Sequence, residues 1–252
     1  VDRVVHKLRE IDKGQVGLAI YSTKEQQHKL TLNHDIVVPL ASSAKVAIAF
    51  CITKWVSEDL LSWTDILKDI SFNTEEDSIE LYPHLQNRSS LTLSEGIEVM
   101  IACHDSNVAK CIVNFCGGWE KLNQYIQFYF PTIKICENAR DMENKAQLDQ
   151  MLELMIHIYK GYQTQPLIWT PIINGLVRQR GGINQIPIHH LNHMTGGLKN
   201  VVVDIGIMGD FNKNPYIFAL GATNLPDRYN SQIADKKIAE VMTLLYQEYK
   251  QQ

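Results

Sequence analysis

Strand-like runs stand at both ends of this chain, with a long helical stretch between them. Near the start, "QVGLAIYS" from Gln15 reads as a strand and "HKLTLN" from His28 as its hairpin partner. Near the end, "NVVVDIGIMGD" from Asn200 and "PYIFALGAT" from Pro215 are β-branched or aromatic runs. Asp210-Phe211-Asn212-Lys213-Asn214 separates them with turn-forming residues. A sheet built from these runs draws on both chain ends, so it is mainly antiparallel and carries the helical segment as an insertion. No strand–helix alternation and no Gly-rich phosphate loop is present, which speaks against a dinucleotide-binding fold.

Helical periodicity fills in the rest. Val1, Val4, Val5, Leu8 and Ile11 mark an opening amphipathic helix, and Ala234, Ile238, Val241, Leu245 and Tyr249 a closing one. Ile48, Ile52 and Trp55 place a helix from Ala41 to about Val56. In "TLSEGIEVMI", Thr92 with Glu95 three residues on forms a capping box. After "HDSN", the residues Val108, Cys111, Ile112 and Phe115 define the apolar face of a helix that ends at Gly117-Gly118. Leu148, Met151, Leu152, Met155 and Tyr159 predict a helix stopping near Gly161. Thr170 is the expected N-cap of another, with Pro171 at its first position and Ile172, Ile173, Leu176 and Val177 on its buried side. The fold class expected is α/β of the α+β type. A single unit forms an α/β lobe from about 1–38 and 187–252 and a helical lobe over about 39–186.

Charge narrows the partners. Lys and Arg number 24 against 28 Asp and Glu, with no basic run longer than two, which is not the footprint of a nucleic-acid binder. No apolar run approaches the ~18 residues of a membrane span. The chain opens on "VDRVVHKLRE" with neither an initiator Met nor a signal-peptide pattern, as a trimmed or mature form would. Five cysteines, Cys51, Cys103, Cys111, Cys116 and Cys136, form an odd set without C-x-x-C spacing, so neither a disulfide framework nor a zinc site is expected. His189, His190 and His193 lack a fourth ligand or an H-E-x-x-H pattern. Glu75-Glu76-Asp77 reads as a solvated acidic loop.

Three short features carry chemistry. Ser42 and Lys45, in "PLASSAKVAIAF", are three apart at a helix start and share a face. A serine becomes a nucleophile when a neighbour takes its proton, and a partly buried lysine of lowered pKa does that. Taken alone the pair better fits a helix cap with a solvated lysine. Asp105-Ser106-Asn107 is a polar junction between apolar helices, either a capping turn or a set of groups aimed at a substrate. Met194-Thr195-Gly196-Gly197 precedes a strand, where glycines are either a turn or a point of close ligand approach.

In order and spacing, the three features resemble the signature of the penicillin-recognising serine hydrolases, S-x-x-K, S-D-N and K-T-G, and most of all the class A β-lactamase group. The resemblance covers nearly the whole chain, from "GLAIYSTKEQQHKLTLNHDIVVPLASSAK" through "LTLSEGIEVMIACHDSNVAKCIV" to "HMTGGLKNVVVDIGIM". It implies a cleft between two lobes and an acyl-enzyme formed on Ser42 with Lys45 as base. The backbone N–H groups at Ser42 and near Gly196-Gly197 would form the oxyanion hole, and Ser106, Asn107, Met194, Thr195, Gly196 and Gly197 would line the substrate site.

Departures from the family pattern are equally specific. Asp105 stands where the proton-relaying serine is expected and is the candidate to take over its proton transfer. Met194 replaces the third-motif lysine, with Lys199, His193 and Arg180 as candidate replacement cations. In "PTIKICENARDMEN" neither Glu137 nor Glu143 fits the E-x-x-x-N spacing of the deacylating glutamate.

The resemblance therefore implies a β-lactam-type or related amide or ester hydrolase, slow where nothing replaces the deacylating glutamate. A peptidase, esterase or transferase of the same fold, or a degenerate binding protein, are the rival expectations. The implied partner is a small β-lactam or peptide-like molecule bound by a monomer, without metal or organic cofactor. Relatives of this kind work outside the cytoplasm, whereas unpaired cysteines suit a reducing compartment.

Overall fold

The computed structural model describes all residues from 1 to 252. Helix α1 (Asp2–Arg9) leads into strands β1 (Gln15–Ser22) and β2 (Gln27–Leu32), then the short β3 (Val37–Pro39) and a 3-10 turn over Ala41–Ser43 that runs into α2 (Ala44–Ser57). A β4 (Ile66–Leu67) and β5 (Leu91–Thr92) ladder brackets the short α3 (Ser78–Leu81). Helices α4 (Leu93–Cys103), α5 (Ser106–Phe115) and α6 (Trp119–Tyr129) follow, then β6 (Lys145–Gln147), α7 (Leu148–Thr164) and α8 (Pro166–Arg178). Strands β7 (Leu191–Leu198), β8 (Val201–Met208) and β9 (Tyr216–Thr223) and helix α9 (Ile233–Lys250) close the chain.

The expected sheet forms from both chain ends. Its order is β2-β1-β9-β8-β7, with every neighbouring pair antiparallel. Alternation along the strands divides its two faces. Tyr216, Phe218, Leu220 and Ala222 of β9, with Leu18 and Ile20 of β1, pack against α1 and α9. Ile217 and Ala219, with Val201, Val203, Ile205 and Ile207 of β8, face the helical side. The helical-side core holds 55 buried residues against 20 on the other, and β7 is the free edge of the sheet beside it.

Several boundaries move from their sequence positions. Helix α8 begins at Pro166, a turn earlier than Thr170, and Pro171 lies inside it. Pro166 is the better N-terminal residue because it sacrifices an N–H that no carbonyl would reach; Thr170 Oγ1 instead donates to the Pro166 carbonyl at 2.7 Å. Helix α5 buries Val108, Ala109, Ile112 and Val113, while Phe115 is exposed and Cys111 half-buried. Helix α7 passes Gly161 and runs to Thr164, because the missing side chain lets the Trp169 ring of α8 lie against the helix. No helix is long and apolar enough to cross a membrane.

Candidate active site

The turn that carries Ser42 is built under strain. Ala41 has φ +48°, a left-handed conformation unusual for a residue with a Cβ, and it immediately precedes Ser42. Asn144 holds that turn in place. Its fully buried amide donates to the Ala41 carbonyl at 3.1 Å and to the Ala139 carbonyl at 3.2 Å, while its oxygen accepts the Cys136 N–H at 3.2 Å. The Asn144 backbone carbonyl also accepts the Leu40 N–H at 2.7 Å. The segment from Cys136 to Asn144 is thereby clamped beneath the serine.

Lys45 lies one helical turn on, with its Nζ 3.5 Å from the Ser42 Oγ. That is the outer limit of a hydrogen bond, a looseness typical of sites awaiting substrate. The side chain is 3 % exposed, and this burial lowers its pKa to about 8, although Glu76 and Asp105 pull it upward. A cation removed from water favours its neutral form. Glu76 was legible only as part of an acidic loop. It is in fact half-buried, and burial raises its pKa, as do Asp105 and Asp77, against Lys45 and Arg140.

Strand β7 forms the facing wall. A Cβ on Gly196 would collide with the Leu40 carbonyl and lie 3.2 Å from the Ser43 nitrogen, so only glycine lets the strand pass this close to the Ser42 turn. On the free edge, the Thr195 N–H donates to Gln179 Oε1 at 3.0 Å instead of to β8. By the period of two along a strand, the Gly197 N–H points off the same edge. The Ser42 N–H makes no backbone hydrogen bond. Of the two glycines, it is Gly197 whose N–H leaves the free edge of the strand.

The middle motif differs most from its sequence reading. Asp105 is the N-cap of α5: Oδ1 accepts the Val108 N–H and Oδ2 the Asn73 N–H, each at 3.0 Å. Burial raises its pKa while these backbone donors oppose the rise. With an N–H on each oxygen, it caps the helix and ties the Asn73 loop to it. Ser106 begins α5, half-buried, its hydroxyl without a partner. Asn107 is exposed and turned away, lining a separate groove of about 690 Å³ with Ile66, Lys68, Lys110 and Asn114. A residue two places past the cap lies on another face of the helix from the residue before it, a rotation a linear motif does not show.

His104 was missed. It precedes the cap in a left-handed conformation, φ +58°, and its Nε2 lies 3.2 Å from Gln179 Oε1. Burial lowers its pKa to about 4, assisted by the charge of Lys45. The only sequence signal was a histidine beside the motif, and nothing in the sequence gave its direction.

The candidate cations for the third-motif position all have partners elsewhere. Met194 is fully buried in the larger core. His193 faces the other way along the strand, with Nδ1 2.7 Å from Asp204 Oδ1 and Nε2 2.7 Å from the Gly181 carbonyl. Both ring nitrogens meet acceptors, so the ring is an imidazolium; burial opposes the charge, but Asp204 outweighs it and the pKa is raised. Lys199 pairs with Asp227 at 3.3 Å, and Arg180 with Glu80 and Asp77. Arg228, beside Gly197, is spent on Asp235 and the carbonyls of Leu198 and Val201. Glu137 and Glu143 are likewise engaged away from the serine, with Lys110 and with Lys134 and Lys145.

A family model described as the beta-lactamase enzyme family matches residues 2–249. The chain belongs to that family. Solved structures share its fold at low identity. A mutant of PBP-A, solved as an acyl-enzyme complex with penicillin G, superposes with a TM-score of 0.81 at 21% identity, covering 100% of this chain and 96% of that one. A β-lactamase from Chitinophaga pinensis gives 0.81 at 19% identity, covering 98% of both chains. A class A β-lactamase from Mycobacterium abscessus gives 0.75 at 15% identity, covering 99% of this chain and 98% of that one. Among curated proteins no sequence matches. These neighbours establish the β-lactamase fold for this family member; what it acts on is a separate matter.

Proposed function

We propose that this β-lactamase-family protein is a serine acyl-transfer enzyme that opens a β-lactam or related amide or ester and releases the acyl group slowly. The observation that carries the reading is the buried Lys45 amine, its pKa lowered to about 8, within 3.5 Å of Ser42 Oγ. The free amine takes the serine proton as Oγ attacks the carbonyl carbon. The Ser42 and Gly197 N–H groups, at the positive end of α2, receive the charge that develops on oxygen.

Slow release follows from the segment clamped by Asn144. Four residues before that asparagine, where E-x-x-x-N spacing calls for a carboxylate, stands Arg140, exposed and in no ion pair. That segment supplies no base to activate a water; the nearby carboxylate, Glu76, is already engaged electrostatically with Lys45 and Arg140. That the PBP-A mutant forms an acyl-enzyme with penicillin G supports reading the shared fold in this way.

Mixing the protein with excess chromogenic cephalosporin is the test. The expected trace is a burst of one equivalent per chain followed by turnover at least ~10²-fold slower, because unassisted water lacks the 10²–10⁴-fold contribution of a general base. Rapid linear turnover would mean an efficient β-lactamase. No burst with the cephalosporin but one with a simple ester would favour a peptidase or esterase of the same fold. No reaction with either would leave a binding protein.

A further inference from the structure

An amide does not part from its carbon until the departing nitrogen receives a proton, because the bare nitrogen anion is far too basic to leave. Asp105, the expected proton carrier, has both oxygens on backbone N–H groups. His104, the residue before it, has a side chain placed differently. The Gln179 amide is fixed at both ends, its Nε2 donating to the Arg180 carbonyl at 2.9 Å and its Oε1 accepting the Thr195 N–H at 3.0 Å. Gln179 Oε1 therefore can only accept from His104 Nε2, which lies 3.2 Å away and must carry the ring proton. The other nitrogen, Nδ1, is left with a bare lone pair and no hydrogen-bond partner within the protein.

We propose that His104 is a catalytic residue of this site and delivers the proton to the leaving nitrogen through Nδ1. This rests on the acyl-transfer reading above. Its position follows from the contacts around it. Gln179 ties its ring to Thr195, one residue from the Gly196 that touches the nucleophile turn, and Lys45 is close enough for its charge to act on the ring. The other charged neighbours are Asp77, which favours the imidazolium, and the His193 imidazolium, which opposes it.

The steps balance. Lys45 takes the Ser42 hydroxyl proton as the new C–O bond forms and the carbonyl π pair moves to oxygen. Lys45 then passes that proton to Nδ1, which gives it to the nitrogen as the C–N bond breaks and its electron pair stays on nitrogen. Lys45 and His104 both end neutral, and the Nε2 proton never leaves Gln179. Burial and the Lys45 charge hold the imidazolium pKa at about 4, which makes it a strong donor. As Lys45 gives up its charge, one cause of that low pKa disappears, so Nδ1 gains proton affinity at the moment it must accept.

Two substrates separate this role from a structural one. Penicillin G has a saturated leaving nitrogen that needs the proton, whereas a p-nitrophenyl ester releases a stable phenolate without one. His104→Ala is expected to slow acylation by penicillin G about 10²–10³-fold and by the ester less than about 5-fold. His104→Ser, which restores a small proton relay, should recover at least tenfold toward penicillin G. Equal losses on both substrates, or no loss on either, would overturn the assignment. So would ¹⁵N NMR of the intact protein showing the proton of His104 on Nδ1, a readout that survives even if the variants fail to fold. Absence of any Ser42 acylation in the wild type would remove the underlying function and this role with it. Normal acylation with unchanged His104→Ala kinetics would remove this role alone.

Discussion

Lys45→Met is expected to slow acylation of Ser42 by about 10³-fold, within the range a general base supplies. The wild-type rate should rise tenfold per pH unit below about 8, the lowered pKa of Lys45, and level off above it as the free amine saturates. In the methionine variant that limb should vanish. The same substitution has a second consequence. A lysine whose folded pKa is about 8 against an unfolded value of 10.5 leaves the unfolded chain holding more protons between those limits. Stability therefore rises with pH across that window, and below it the buried amine costs about 3 kcal/mol. Methionine, of similar length and uncharged, recovers part of that, so the variant should unfold at a higher temperature while reacting far more slowly. A variant that loses stability, or keeps its pH limb, would show that Lys45 is not a desolvated base.

Arg140→Glu is expected to shorten the life of the acyl-enzyme by about 10²-fold and to leave its formation within about threefold. The buried Asn144 fixes the end of the segment and ties it to the carbonyl of Ala41. A carboxylate four residues earlier would meet the E-x-x-x-N spacing on a scaffold that is already anchored. It would add a general base where the chain has a guanidinium, a gain of about 10²–10⁴-fold where the geometry is met. Arg140→Ala separates supplying a base from removing a cation: it should leave the lifetime close to that of the wild type. The burst-and-turnover assay reads both, because the slow phase reports release and the burst reports acylation. An unchanged slow phase in Arg140→Glu would place the limit on release elsewhere in the cleft.

Much of this was legible in the sequence because it rests on local rules. Strand runs at both ends required an antiparallel sheet, and β1, β8 and β9 formed where alternation and branching predicted. Ser42 and Lys45 meet because three residues make most of a helical turn, which spacing alone determines. The middle motif was less legible because its meaning depends on rotation. One left-handed residue, His104, ends α4, and a capping Asp105 starts α5 so that Asn107 lies on another face. The third motif gave its strand and close-packed glycine, but the partners of its cations come from distant segments. Asp204 for His193 and Asp227 for Lys199 become neighbours only through strand pairing and loop folding. Glu76 was hidden for the same reason: composition makes its loop acidic, and only tertiary folding buries one member of it beside Lys45.

Intact mass after brief exposure to penicillin G, with Ser42→Ala in parallel, tests the central claim most directly. The wild type should gain the mass of one penicillin per chain, persisting for minutes and mapping to the peptide that contains Ser42, while Ser42→Ala gains none. A wild type that gains no mass in an acid-quenched reaction, or an adduct of equal yield on Ser42→Ala, would contradict it.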